Sequence, residues 1–218
     1  MSSGSGHPLA YPISVTIGAL AVCAALAPFG TLDQVAALGA VALAIVGYTG
    51  YRFAVAFSFV SLRGAGTAGT VRVARVRQQH RLTSRSWLEF GEGRRTRWLP
   101  VYFDPALLTL TEGTAEVTDR AVVIDGRRLY PSGRLREQEP IGRLIDNPSR
   151  PACGPHLLAA VHLRRRLLLD AQSTVAAPFA ALLWVYIDGG GFPAFIAATC
   201  VAAAATIWLS AIKGSDPS

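Results

Sequence analysis

The groups in this chain able to bind a metal, move a proton or attack an electrophile are few and scattered. The four histidines, His7, His80, His156 and His162, form no HExxH pair and sit beside no cysteine at ligand spacing. His156 and His162 are six positions apart, whereas neighbours on a helix face lie three or four apart. The three cysteines, Cys23, Cys153 and Cys200, contain no CxxC, and an odd number gives no disulfide framework. Cys23 and Cys200 lie in apolar runs, where a thiol acts as a small hydrophobe. Ser84 and Ser86 have neither a GxSxG context nor a base nearby in sequence. GAGTAG, from Gly64 to Gly69, lacks the Lys-Ser/Thr that completes a phosphate loop and precedes a strand rather than a helix, so it reads as a hinge. These patterns predict no catalytic residue, no metal site and no cofactor.

The remaining chemistry belongs to arginine. Of 21 Lys and Arg residues, all but Lys213 lie between Arg52 and Arg166, and the first 51 residues carry only Asp33. The chain is 51% hydrophobic and only 16% charged, against roughly 25% charged in a soluble domain. Charge so segregated puts lipid at both ends of the chain and water in the middle. Arg75, Arg77, Arg81 and Arg85, with Trp87, have the residue types of a nucleic-acid surface. Acidic residues between Glu89 and Asp146 are interspersed with the arginines. A solvated face or contact with anionic membrane lipid is therefore favoured, and nucleic acid is disfavoured as a partner. Arg164, Arg165 and Arg166, with Arg52 and Arg63, are the candidate lipid-headgroup or interface residues, each worth ~1 kcal/mol near an anionic leaflet. Asp170 follows Arg166 by four positions on one helix face, the spacing of a salt bridge or an interface residue.

Four apolar runs must position these groups. Tyr11 to Phe29 is long enough to cross a hydrocarbon core of ~30 Å at about 1.5 Å per residue, with Pro12 and Pro28 near its ends. After the GTLD linker a second run continues past Arg52 to Leu62, longer than one span requires, with Arg52 snorkelling towards headgroups. Beyond Gly64 the period shortens. TVRVARVRQ alternates, provided Ala74 faces outward or a bulge intervenes. SWLEF, RWLPVYF, Ala115 to Thr118, Ala121 to Ile124 and Arg128 to Tyr130 read as further strands, and Asp125-Gly126 reads as a type I′ hairpin turn. About six short strands suit a small barrel or sandwich. A helix is expected to resume near His156 and to feed a third run kinked at Pro178. After DGGGFP the fourth run ends at Ile212.

Orientation follows from the arginines, because cytoplasmic flanks collect basic residues. They cluster after the second span and before the third, whereas the two loops carry only Asp33 and Asp188. The expected fold is an α+β membrane protein: four transmembrane helices in two hairpins, with an inserted small cytoplasmic β-barrel or sandwich domain. Its parts are a disordered lead-in (1–10), which lacks the basic residues of a secretory signal, hairpin 1 (11–63), the β domain (64–140), a linker (141–155), the basic helix start with hairpin 2 (156–213), and a tail (214–218). The spans carry almost no ionisable groups, which disfavours an enzyme, channel or ion-coupled transporter. They carry small residues instead. Ala36, Ala40 and Ala44 recur every fourth position beside Gly39 and Gly47, and Ala194, Ala198 and Ala202 repeat the pattern. Such faces let backbones approach closely and drive helix association in lipid.

The Ala- and Arg-rich, Lys-poor composition looks actinobacterial. Two hairpins around TVRVARVRQQHRL through VVIDGRRLYPSGRLREQEP resemble the LucB-type accessory subunits of mycobacterial Mce lipid-import complexes. The resemblance covers the whole architecture and assigns no individual residue. It implies docking against the permease of an ABC-type lipid importer, without catalysis. The expectation is thus a non-enzymatic accessory or scaffolding subunit in the cell inner membrane, with both termini and the β domain cytoplasmic. Its expected partners are membrane lipids and an integral membrane protein, such as a transporter permease. The alternative is a membrane-tethered sensor or regulator whose β domain binds a ligand, lipid headgroup or nucleic acid.

Overall fold

The computed structural model describes residues 7–57, 69–80, 82–92, 95–118, 121–146 and 162–218. Among these residues the chain is α+β. Helices α1 (Ala10–Leu26) and α2 (Leu32–Ala56) precede seven strands, and α3 (Leu163–Ala171), α4 (Ala177–Asp188) and α5 (Gly191–Ile212) follow them. Four helical segments, Ala10–Phe29, Leu32–Ala56, Leu163–Asp188 and Gly191–Ile212, are long and apolar enough to cross a membrane. Pro12 lies in the first turn of α1, where its missing N–H leaves no hydrogen bond broken. Thr31 and Gln34 start α2 with a capping box, each side chain accepting the other's backbone N–H. Gly189, Gly190 and Gly191 all have positive φ, and this allows α4 to turn directly into α5.

The third apolar run departs from the kinked helix expected of it. Helix α3 begins at Leu163, and a 3-10 segment, Gln172–Ala176, separates it from α4. Ser173 Oγ donates to the Asp170 carbonyl (2.6 Å) and Thr174 Oγ1 to that of Ala171 (2.7 Å). These hydroxyls compete with the α-helical ladder. Pro178 then falls in the first turn of a new helix, where it is tolerated. The expected helix start at His156 and the extension of α2 through Ser58 to Leu62 lie outside the described residues.

The strands β1 (Gly69–His80), β2 (Thr83–Glu92), β3 (Arg95–Val101), β4 (Glu112–Val117), β5 (Val122–Ile124), β6 (Arg127–Leu129) and β7 (Arg143–Asp146) form one antiparallel sheet. Its order is β3-β2-β1-β4-β5-β6, and β7 adds to the far half of β1, beyond the reach of β4. The sheet curls until its ends meet: Tyr102 N–H donates to Tyr130 O, Ser132 N–H to Pro100 O, and Trp98 and Arg136 exchange both backbone bonds. Val73, Leu88, Phe90, Leu99, Val101, Ala115, Val117, Val122 and Leu129 fill the curl. A small second core on the other face joins Val76, Trp87 and Trp98 to Leu144. Pairing of β1 with β2 runs in unbroken register through Ala74, so Ala74 faces away from the curl and no bulge is needed. The hairpin turn at Asp125 and Gly126 has positive φ at both positions, as its sequence demands. Strand β7 lies in the stretch expected to be a linker. Four residues flanked by Pro, Gly and Asn are too short to show a period, and β1 supplies the pairing that fixes them.

Candidate functional site

Strand β1 alternates into the curl at Val71 and Val73, and the next residue on that side is Arg75. A guanidinium there is tenable only if paired. The pairing comes from the C-terminal tail. Arg75 Nη2 lies 2.8 Å from Asp216 Oδ2, and both side chains are fully shielded from solvent. Arg75 also donates to Ser86 Oγ (3.0 Å), Ser218 Oγ (3.0 Å) and the Leu107 carbonyl. Ser86 Oγ donates to Asp216 at 2.5 Å, while Asp216 N–H donates to Ser84 O (2.9 Å). The tail thus continues the edge of β2 where β3 ends. Burial by itself would raise the Asp216 carboxyl. Arg75 and the hydrogen bonds from Ser86 and Ser218 outweigh burial and hold it below the usual carboxylate range.

The same junction ties down the helix ends. The Ile212 carbonyl, left without a helical partner at the end of α5, accepts from Tyr102 Oη (2.9 Å) and Arg52 Nε (3.2 Å). Burial pushes the Tyr102 phenol up to about 12, so it stays a donor at neutral pH. Gly214 reverses the chain with φ +84°, and a Cβ there would lie 2.7 Å from Ser132 Cβ. On α3, Asp170 does not pair directly with Arg166. It accepts from Tyr11 Oη (2.5 Å) and Ser215 Oγ (2.9 Å), while the Arg166 guanidinium stacks over the Tyr11 ring at 4.0 Å. Tyr11, Val15, Ile45, Trp208, Ala211 and Ile212 make the apolar core beside this junction, and Trp208 Nε1 donates to Thr49 Oγ1 (3.0 Å).

Away from the β domain the helices part. A cleft of about 820 Å³ opens between α2 and α5, lined by Leu38 and Val41 on one side and Ala194, Ala198 and Ala202 on the other. At the mouth, Gln34 Nε2 donates to Asp188 Oδ2 at 3.3 Å. The small residues of α2 have a different place. Ala36, Gly39, Ala40, Ala44 and Gly47 all face outward with Leu43, and a Cβ added at Gly39 or Gly47 would meet nothing within 4 Å.

The candidate headgroup arginines separate likewise. Arg164 and Arg165 are exposed and Arg166 is buried. Arg52 turns inward to cap α5 instead of extending outward, because the Ile212 carbonyl and the Tyr48 hydroxyl lie within its reach. Arg63 lies outside the described residues. Of the arginines weighed as a nucleic-acid surface, Arg81 lies outside the described residues and the others divide between two sides of the sheet: Arg75 and Arg77 on the side of the curl, Arg85 with the buried Trp87 on the other. Among the described residues no group of three metal-ligating side chains converges. Sequence reasoning missed the roles of Tyr11, Tyr102, Ser215 and Asp216. The available signal was Arg75 itself, at an interior position of an alternating strand. No family model, curated protein or solved structure matches the chain.

Proposed function

We propose that the chain is a non-enzymatic accessory subunit of a membrane complex, docked through α2 against a transmembrane helix of an integral membrane partner. In this reading the four apolar segments cross the inner membrane as two hairpins, and the arginine-rich β domain lies in the cytoplasm. The observation that carries it is the outward face of Ala36, Gly39, Ala40, Ala44 and Gly47. A lipid chain packs equally well on leucine. Another backbone gains most from a strip of small residues, even one that carries Leu43, because close approach recovers dispersion contacts that lipid does not supply. The core of the bundle draws on other residues, so internal packing does not account for this face. The resemblance to LucB-type subunits makes the permease of an ABC-type lipid importer the specific partner proposed.

The test is purification of the full chain in mild detergent, with mass spectrometry and sizing, beside a Gly39→Leu/Gly47→Leu variant. The expected result is a stoichiometric integral membrane partner that the variant loses while remaining folded and inserted. A wild-type monomer or homo-oligomer, or a partner retained by the variant, overturns the reading. Orientation is tested by labelling cysteines placed at Arg128 and Phe192, both exposed, in intact cells lacking the native thiols. Labelling at Arg128 from outside contradicts a cytoplasmic β domain.

A further inference from the structure

Between the first turns of α3 and the β1–β2 hairpin lies a polar cavity of about 360 Å³, lined by Arg77, Ser84, Arg165 and Arg166, with Asp170 and the tail at its inner side. Arg166 is only 8% exposed. It stacks on the rings of Tyr11 and Phe103, but its Nε finds no acceptor among the described residues. Among the described residues Arg77 Nε and Ser84 Oγ are also buried without a partner, while Arg77 Nη1 donates to the Ser218 carbonyl oxygen. The carboxylates nearby are already engaged: Asp170 by Tyr11 and Ser215, Asp216 by Arg75 and Ser86. Three buried donors of the wall, Arg166 Nε, Arg77 Nε and Ser84 Oγ, are thus left without an acceptor among the described residues. Buried donors left unmade are costly, and two guanidinium groups with open buried donors, a third at the rim and a hydroxyl match a group that carries negative charge on several oxygens.

We propose that this cavity binds a phosphate group, through Arg166, Arg77 and Ser84 within it and Arg165 at its rim. The cavity sits where the apolar helices meet the β domain, so a phospholipid headgroup and a free phosphate are its two sources. Only the lipid source rests on membrane insertion, and neither depends on the docking of α2.

The full-length protein, held in a phosphate-free maltoside detergent, is titrated with inorganic phosphate and, separately, with phosphatidylglycerol in mixed micelles. Binding is followed by phosphorus NMR. Saturable single-site binding of at least one probe is expected, weakened about tenfold in Arg165→Gln, the loss of one charge-assisted hydrogen bond. Arg166→Gln weakens it further. Arg165 is exposed, so its variant keeps the test open if Arg166→Gln fails to fold. Saturation by the lipid alone assigns a headgroup, and saturation by inorganic phosphate at equal or better affinity assigns a soluble ligand. Failure of both probes to saturate, or unchanged binding in Arg165→Gln, overturns the proposal.

Discussion

Where the helices meet the β domain, side chains from α1, α2, α3, the sheet and the tail share one network: Tyr11 with Asp170, Asp170 with Ser215, Asp216 with Arg75, and Tyr102 and Arg52 with the end of α5. At the far end the same helices part around a cleft of about 820 Å³ walled by alanines, held across its mouth by a single described hydrogen bond, Gln34 to Asp188. The contrast separates two tasks. Directional polar bonds fix the attitude of the sheet relative to the helices. Small apolar faces fix nothing by themselves, and the one on α2 is the surface proposed for a partner helix.

The contrast breaks most sharply at the buried ion pair. Asp216→Ala leaves the Arg75 guanidinium buried and uncompensated, at an expected cost of about 3–5 kcal/mol, measured by thermal unfolding of the full chain in detergent. Arg75→Met/Asp216→Leu should cost less than the single change, because no charge is then stranded. The pH dependence has a definite sign. The Asp216 carboxyl is held below its unfolded value, so its contribution is complete above about pH 4 and is lost as the pH falls through the folded value. Acid below about pH 4 should therefore destabilise the wild type more than the double variant.

Gly214→Ala comes next, at about 1–3 kcal/mol, since φ is +84° and the new Cβ would overlap Ser132. Limited proteolysis should show earlier cleavage in the tail. Tyr102→Phe removes one bond to the end of α5, worth about 1 kcal/mol by thermal unfolding. The effect should stay flat between about pH 6 and pH 9, because the buried phenol remains protonated. The smallest effect belongs to the open end. Ala198→Leu projects into the cleft and should change stability by about 0.5 kcal/mol or less, whereas Ala211→Leu, at the packed end, should cost about 1–3 kcal/mol from overpacking.

Legibility in the sequence followed the length scale of each interaction. The first, second and fourth apolar runs and the Asp125-Gly126 turn are local, and the described parts of their elements lie where the pattern puts them. The break at Gln172–Ala176 is also local: the Ser173 and Thr174 hydroxyls compete there with the helical ladder, a weaker sequence signal than Pro178. Strand β7 depends on β1, more than sixty residues away. The role of the tail is not legible, because Arg75 and Asp216 are 141 positions apart, a separation over which sequence gives no distance. The face of α2 was legible as small residues. Whether it pointed inward or outward was not, since period fixes a helix stripe but not its neighbour.

The most direct measurement of the central claim is site-specific photocrosslinking in living cells, with the probe placed in turn at Ala40 on α2 and at Ile17, exposed on α1. The account predicts one heteromeric adduct from Ala40 to an integral membrane protein, abolished by Gly47→Leu, and no such adduct from Ile17. Adducts from Ala40 only to lipid or to a second copy of the chain would contradict it.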